Sequence, residues 1–271
     1  LLYHNKSTGK KTALKFSRTM LHEIKLMKRI RDYNRNGTQN IVNIIQELEI
    51  WPTLEEAISD HIIKTGPPKD YESIGKERER ITVEIEYIEG YSLKNILKKQ
   101  NVLPEDKTLK YGAGILNGLL EIRAAGIYHR DLHDRNILIE ADTDRAVIID
   151  LGAATEDPAE IHPLNRAYGG NNDLISLGQM MYKMATGKNL FNESPGFTCY
   201  SAVKDGVKTV REEVYDDPQK KVEYLGKVRE NVENRELAEI IVKLLDDDLW
   251  TQPPLEKVQE MQKNIYEKMK T

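Results

Sequence analysis

Apolar residues alternate with polar ones in the first third of the chain and recur at helical spacing later, so the sequence divides into a strand-rich front and a helix-rich back. Residues 1–3 and 12–16 read as two strands joined into a hairpin by the polar turn Asn5-Lys6-Ser7-Thr8-Gly9-Lys10. Ser17 is placed to cap a helix running to about residue 32, where Met20, Ile24, Met27 and Ile30 return every three or four positions on one face. Residues 41–50 are apolar enough for a strand, and residues 81–88 alternate as a half-buried strand does. Between them, residues 53–64 read as helical, followed by the Gly66-Pro67-Pro68 break and a charged run over 76–80. The predicted segment 53–80 is a solvated surface insertion.

Past Gly90 the period becomes helical. Ser92 caps a short helix to residue 100, and Pro104 opens a long one to residue 125, which Gly126 ends as a left-handed cap. Residues 136–139 and 146–149 form a small hairpin around the turn 140–145. Three further helices are predicted at 173–186, closed by Gly187, at 236–245 and at 255–269. No repeat at a fixed period is present, which excludes solenoids and propellers. The order of elements implies an α+β protein of two lobes.

Composition narrows the partners. Hydrophobic residues make up 39% and charged residues 31% of the 271, the profile of a hydrated globular chain with its own core. With 40 basic and 44 acidic residues the formal net charge is −4, so no overall field draws a polyanion and no nucleic acid is expected as partner. Cys199 is the only cysteine, which rules out an intrachain disulfide and a thiolate zinc cluster, and fits a reducing, cytoplasmic compartment. No apolar run reaches the roughly 18 residues of a membrane span, and the start does not read as a signal peptide.

The chemistry lies in one run. His129-Arg130-Asp131-Leu132-His133-Asp134-Arg135-Asn136 is followed by the predicted hairpin and then by Asp150-Leu151-Gly152. The run resembles the catalytic loop and metal-binding turn of the protein kinase family, H-R-D-L-x-x-x-N and D-F-G. The phosphoryl transfer this resemblance implies needs one carboxylate to hold and deprotonate the acceptor hydroxyl, and oxygen ligands for magnesium beside the phosphates. One loop can present Asp131 and Asn136 together, and a hairpin would bring Asp150 back beside them. That resemblance implies a two-lobed fold, with a small antiparallel sheet in an N-lobe over residues 1–88 and a helical C-lobe over 89–271. It also implies ATP and magnesium as cofactors and a protein substrate.

By the same resemblance Asp131 is the catalytic base, and Asn136 and Asp150 are the metal ligands. Leu151 replaces the usual Phe and keeps an apolar plug behind the metal. His133 occupies the place of a lysine that meets the γ-phosphate; histidine there is familiar from small-molecule kinases. Ala13-Leu14-Lys15-Phe16 is similar to V-A-I-K, making Lys15 the residue that grips the α- and β-phosphates, and Glu23 looks like its partner on the next helix. Residues 85–93 resemble the hinge, where the carbonyl of Glu86 and the main chain of Ile88 read adenine between walls of Ala13, Leu138 and Ile149. Asp173-Leu174-Ile175-Ser176-Leu177-Gly178 is similar to D-x-W-S-x-G, with Asp173 and His129 in structural roles.

The pattern departs from the family in two places. No G-x-G-x-x-G occurs and the first strand is missing; the chain is expected to be cut there, since Leu1 stands where the second strand would begin. Only 22 residues separate Asp150 from Asp173, without A-P-E, and Gln252 stands where that glutamate's arginine partner would. Losing one partner of a buried ion pair costs about 3–5 kcal/mol, so losing both is self-consistent. Thr155 and Tyr168 are the only hydroxyls from Gly152 to Gly170, which argues against control by activation-loop phosphorylation. The economy of the chain resembles the compact kinases that pathogenic bacteria inject into host cells, which would place it in host cytosol. The expected activity is a serine/threonine protein kinase; the alternatives are a small-molecule kinase and a pseudokinase that binds a partner.

Overall fold

The computed structural model describes residues 2–4, 11–17, 20–34, 39–47, 81–159, 172–191 and 210–270. The front of the chain builds a four-stranded antiparallel sheet from β1 (Leu2–His4), β2 (Lys11–Ser17), β3 (Ile44–Glu47) and β4 (Ile81–Glu86), in the order β1-β2-β4-β3. Helix α1 (Met20–Tyr33) packs on β3 and β4. A second sheet of three short strands, β5 (Gly90–Ser92), β6 (Ile137–Glu140) and β7 (Ala146–Ile148), lies at the junction with the helical part.

The helical part comprises α2 (Leu93–Gln100), α3 (Glu105–Ala124), α4 (Asp173–Thr186), α5 (Val210–Asp216), α6 (Pro218–Asn231), α7 (Arg235–Leu245) and α8 (Leu255–Lys268). Its centre is α3, which packs on α4, α8 and β7, while α4 packs on α7. Ile115, Leu116, Leu119 and Ile122 of α3 are buried in one core with Ile24, Met27 and Ile30 of α1, as the spacing along both helices requires. Gly126 takes a φ of +74° immediately past α3, the conformation that a side chain would resist and that glycine adopts without strain. Ser92 caps α2, accepting from the amide of Asn95.

Several sequence expectations are corrected. Ser17 is the last residue of β2, paired with Ile81, and α1 begins at Met20, so the strand runs to within two residues of the helix; the expected cap falls outside what is described. The strand expected over 41–50 begins only at Ile44, because Ile41 bridges in parallel to Ile148 of the second sheet, and residues 48–50 lie outside the described ones. The strand expected over 81–88 ends at Glu86. Helices α5 and α6 were not anticipated, and α6 buries only Val228, too little to print a period on the sequence. The expected turn at residues 5–10 and the insertion over 53–80 lie outside the described residues.

Candidate active site

Two clusters meet where the sheets face the helices. The first is built on Lys15, at the middle of β2 opposite Val83. Its ammonium lies 2.6 Å from Glu23 Oε1 and 2.9 Å from Asp150 Oδ1, so β2, α1 and the turn after β7 converge on one nitrogen. Glu23 is 1% exposed, and its Oε1 also accepts the amide of Leu151 at 3.0 Å. A carboxylate this deeply buried is tolerated because a cation and an N–H meet it. Asp150 Oδ1 further accepts the amide of Gly152 at 3.1 Å. Burial alone would raise the Asp150 carboxyl, but the Lys15 ammonium and the Gly152 amide outweigh it and hold the group below the usual carboxylate range.

The second cluster is the loop of residues 129–136. Asn136 Nδ2 donates to the carbonyl of Asp131 at 3.0 Å and to its Oδ2 at 3.3 Å. The amide of Ile149 donates to the Asn136 carbonyl at 2.9 Å, extending the β6–β7 ladder and setting Asn136 across from the residue before Asp150. His133 Nδ1 accepts the amide of Arg135, which leaves Nε2 as the nitrogen facing Asp131 Oδ2 at 3.5 Å. Arg130 and Asp150 have φ of +66° and +69°, a region non-glycine residues adopt only where surrounding contacts enforce it.

For Arg130 those contacts come from α4. Asp173, 2% exposed, accepts the amides of His129 and Arg130 at 3.1 and 2.9 Å. Three turns along the same helix, Lys183 pairs at 2.9 Å with Asp134, itself 8% exposed, so α4 pins the loop at both ends. Asp134 and Lys183 were not singled out in the sequence, since Asp134 fills a variable position of the motif and Lys183 looks like any helical lysine. Also unforeseen are the ties between α1 and the segment after Asp150. His22 Nε2 donates to the Ala154 carbonyl at 2.7 Å and Arg29 meets Glu156 at 2.8 Å.

His129 is fully buried, and its Nδ1 accepts the amide of Asp131 at 3.3 Å, so the ring is neutral. Burial pushes its pKa down, against the pull of Asp173, Asp131 and Asp150. The unfolded chain binds this proton near pH 6.5 and the folded chain only lower, so stability is complete above about pH 6.5 and declines as pH falls through that value. Urea midpoints at pH 7.5 and 5.5 should therefore fall more steeply for the wild type than for His129→Asn, by up to about 1.4 kcal/mol per pH unit. Equal slopes would exclude a buried neutral imidazole.

The remaining expected residues lie on β2, at the end of β4 and in or beside the second sheet. Ala13 shares a face of β2 with Lys15 and pairs with Ile85; Leu138 and Ile149, in or beside the second sheet, are half-buried. Ile88 is buried just after β4, and Glu86 ends that strand. The Asn136 side-chain nitrogen is engaged by Asp131, and Asp150 Oδ1 by Lys15 and Gly152. Among the described residues no group of three or more His, Cys, Asp or Glu could hold a metal unaided. One carboxylate and one amide oxygen fit a magnesium ion that takes its other ligands from phosphates and water.

Comparison with known proteins agrees with this geometry. A family model described as the protein kinase domain matches residues 4–162. A mouse protein named sperm motility kinase Tcr mutant form is 29% identical over 176 residues, 58% of this chain and 36% of that protein. A probable serine/threonine-protein kinase of Clostridium perfringens is 28% identical over 194 residues, 65% of this chain and 26% of its own length. The serine/threonine-protein kinase AfsK of Streptomyces coelicolor is 29% identical over 139 residues, 44% and 17% of the two chains. The chain thus spans about a third or less of the length of these relatives. No described helix is long and apolar enough to cross a membrane. With the matched model covering more than half of it, from β1 to just past Asp150, the chain belongs to the protein kinase domain family.

Proposed function

We propose that the chain transfers the γ-phosphate of ATP to a serine or threonine hydroxyl of a protein substrate. The observation that carries this reading is the bridging ammonium of Lys15, held by Glu23 and Asp150 in the cleft where Asp131 and Asn136 also meet. Adenine would lie between Ala13, Leu138 and Ile149, against the main chain of Glu86 and Ile88. Lys15 would turn its N–H groups to the α- and β-phosphates, an orientation that the Glu23 pairing fixes in advance. Asn136 Oδ1 and Asp150 would hold magnesium, which when bound neutralises charge on the phosphates.

Asp131 Oδ2 would accept the hydrogen of the acceptor hydroxyl as its oxygen bonds to the γ-phosphorus and the bond from that phosphorus to the ADP oxygen breaks. His133 lies on the same oxygen and would keep Asp131 turned toward the acceptor. The activation segment is read as shortened and lacking A-P-E. Thr155, one of its two hydroxyl candidates, is 6% exposed and exchanges both main-chain bonds with Tyr128, so another kinase has no access to it. Tyr168 and the rest of residues 160–171 lie outside the described residues.

The test is incubation of the purified chain with magnesium and γ-labelled ATP, followed by mass spectrometry of the products. Phosphoserine or phosphothreonine should form on the chain itself or on an added protein, and chelation of divalent ions should abolish it. Absence of any labelled protein in the presence of bound nucleotide would overturn the protein-kinase reading. Label on small molecules alone would favour the acceptor class that His133 suggests.

A further inference from the structure

We propose that Arg145 is a positioning residue for the nucleotide site, acting through Glu86 on the strand end that faces adenine. The proposal rests on the nucleotide-binding reading given above. Arg145 was read in the sequence as the last residue of a turn, and the chemistry of the cleft does not use it. In the structure its guanidinium is a junction. Nη1 donates to the Gln39 carbonyl at 2.7 Å, Nη2 to Glu86 Oε1 at 2.7 Å and to Glu140 Oε1 at 3.2 Å, and Nε to Glu140 Oε2 at 3.2 Å. Two carboxylates from different sheets are thereby brought onto one cation, with all three side chains only about a quarter exposed. Without that cation the two like charges would repel in a partly shielded site.

The other oxygen of Glu86 is held as well. Its Oε2 accepts from the side-chain nitrogen of Asn43 at 2.8 Å, and the Glu86 amide donates to the Asn43 carbonyl at 2.8 Å. Asn43 belongs to residues 39–43, which are themselves bolted to the second sheet. Asn40 Nδ2 donates to the Ala146 carbonyl at 2.7 Å, the Ile148 amide to the Asn40 carbonyl at 2.7 Å, and the Val42 amide to the Ile148 carbonyl at 3.0 Å. Helix α3 closes the stack from behind. A Cβ on Gly118 would sit 2.7 Å from both the Asn40 carbonyl oxygen and the Ile148 side chain, so the close approach requires glycine there.

Residues 39–43 are therefore a rigid fulcrum between the four-stranded sheet and the rest of the molecule, and Arg145 ties the end of β4 to it. Glu86 is fixed at its amide and at both carboxylate oxygens, which leaves its carbonyl, the expected adenine acceptor, little freedom to turn. The residue type follows from the geometry. Arg145 donates four bonds from three separated nitrogens to two carboxylates and a carbonyl; a lysine ammonium has three donors, all on one nitrogen, and cannot reproduce that spread.

The experiment follows dissociation of a fluorescent ADP analogue with magnesium from the whole chain by stopped flow, alongside the KM for ATP. Arg145→Ala should speed dissociation and raise KM by about tenfold, the scale of one lost charge-assisted hydrogen bond, and leave kcat within about a factor of two. Arg145→Lys should restore part of that loss, to about threefold faster than wild type. Arg229→Ala, which breaks the exposed pair with Glu239 on the far helices, should leave both rates at the wild-type value. If Arg145→Ala does not fold, as its urea midpoint would reveal, Asn43→Ala removes the opposite tether of Glu86 and should accelerate dissociation about threefold. A wild type that binds nucleotide, with dissociation unchanged in these variants, overturns the positioning role and leaves the kinase reading standing. A wild type that binds no nucleotide overturns both.

Discussion

Asp131→Asn is expected to lower phosphate transfer by about 10²–10⁴-fold, the range over which a positioned general base contributes, while nucleotide affinity stays within about a factor of two. The substitution keeps the shape of the side chain and an oxygen able to accept from Asn136 Nδ2, which meets Asp131 at both its carbonyl and its Oδ2. What is lost is the capacity to take a proton. The anchors of the loop are untouched, since Asp173 holds the amides of His129 and Arg130, and Lys183 holds Asp134. A single-turnover measurement with saturating nucleotide separates the chemical step from binding. Retention of more than a tenth of the wild-type rate would remove Asp131 from the chemistry and point to another group as base.

Lys15→Met should produce the second large effect, and it should appear in stability as well as in activity. Removing the ammonium leaves Glu23 as a carboxylate 1% exposed whose remaining contact is the Leu151 amide. Breaking one side of a fully buried pair costs about 3–5 kcal/mol; Lys15 is itself a quarter exposed, so a loss of about 2–3 kcal/mol is expected in the urea midpoint. Activity should fall by about 10²–10³-fold as phosphate stabilisation is lost. The double variant Lys15→Met, Glu23→Gln removes the stranded charge along with its partner, and should recover most of the stability with none of the activity. A single variant as stable as wild type would mean that Glu23 does not carry a buried charge. A double variant as unstable as the single would assign the loss to packing of the lysine stem instead.

The two predictions differ in how far sequence alone could carry them. Asp131, Asn136 and Asp150 were legible because their geometry is local. Asp131 and Asn136 lie five positions apart in one loop, and β6 and β7 pair antiparallel as the expected hairpin does. Asp173 was legible from the resemblance of residues 173–178 to D-x-W-S-x-G, and it does stand first in α4. Glu23 could be placed on a helix face, but its burial, and hence the energetic weight of the pair, could not. The bond from Lys15 to Asp150 spans 135 positions of the chain.

The sequence by itself determined the family and the α+β succession of strands and helices, because each rests on motifs and spacings within one or two adjacent elements. Beyond the Lys15–Glu23 pair, tertiary structure alone decided which charges meet. Arg145 meets Glu86 and Gln39, Lys183 meets Asp134, and His22 and Arg29 of α1 meet the segment after Asp150. It also decided that Ser17 ends a strand, because a ladder bond to β4 is available only once residues 81–86 have returned beside β2. The physical reason is common to all of these. A charged or capping side chain can be satisfied equally well by water, by a neighbour or by a distant partner, and only the packing that removes the water selects among them.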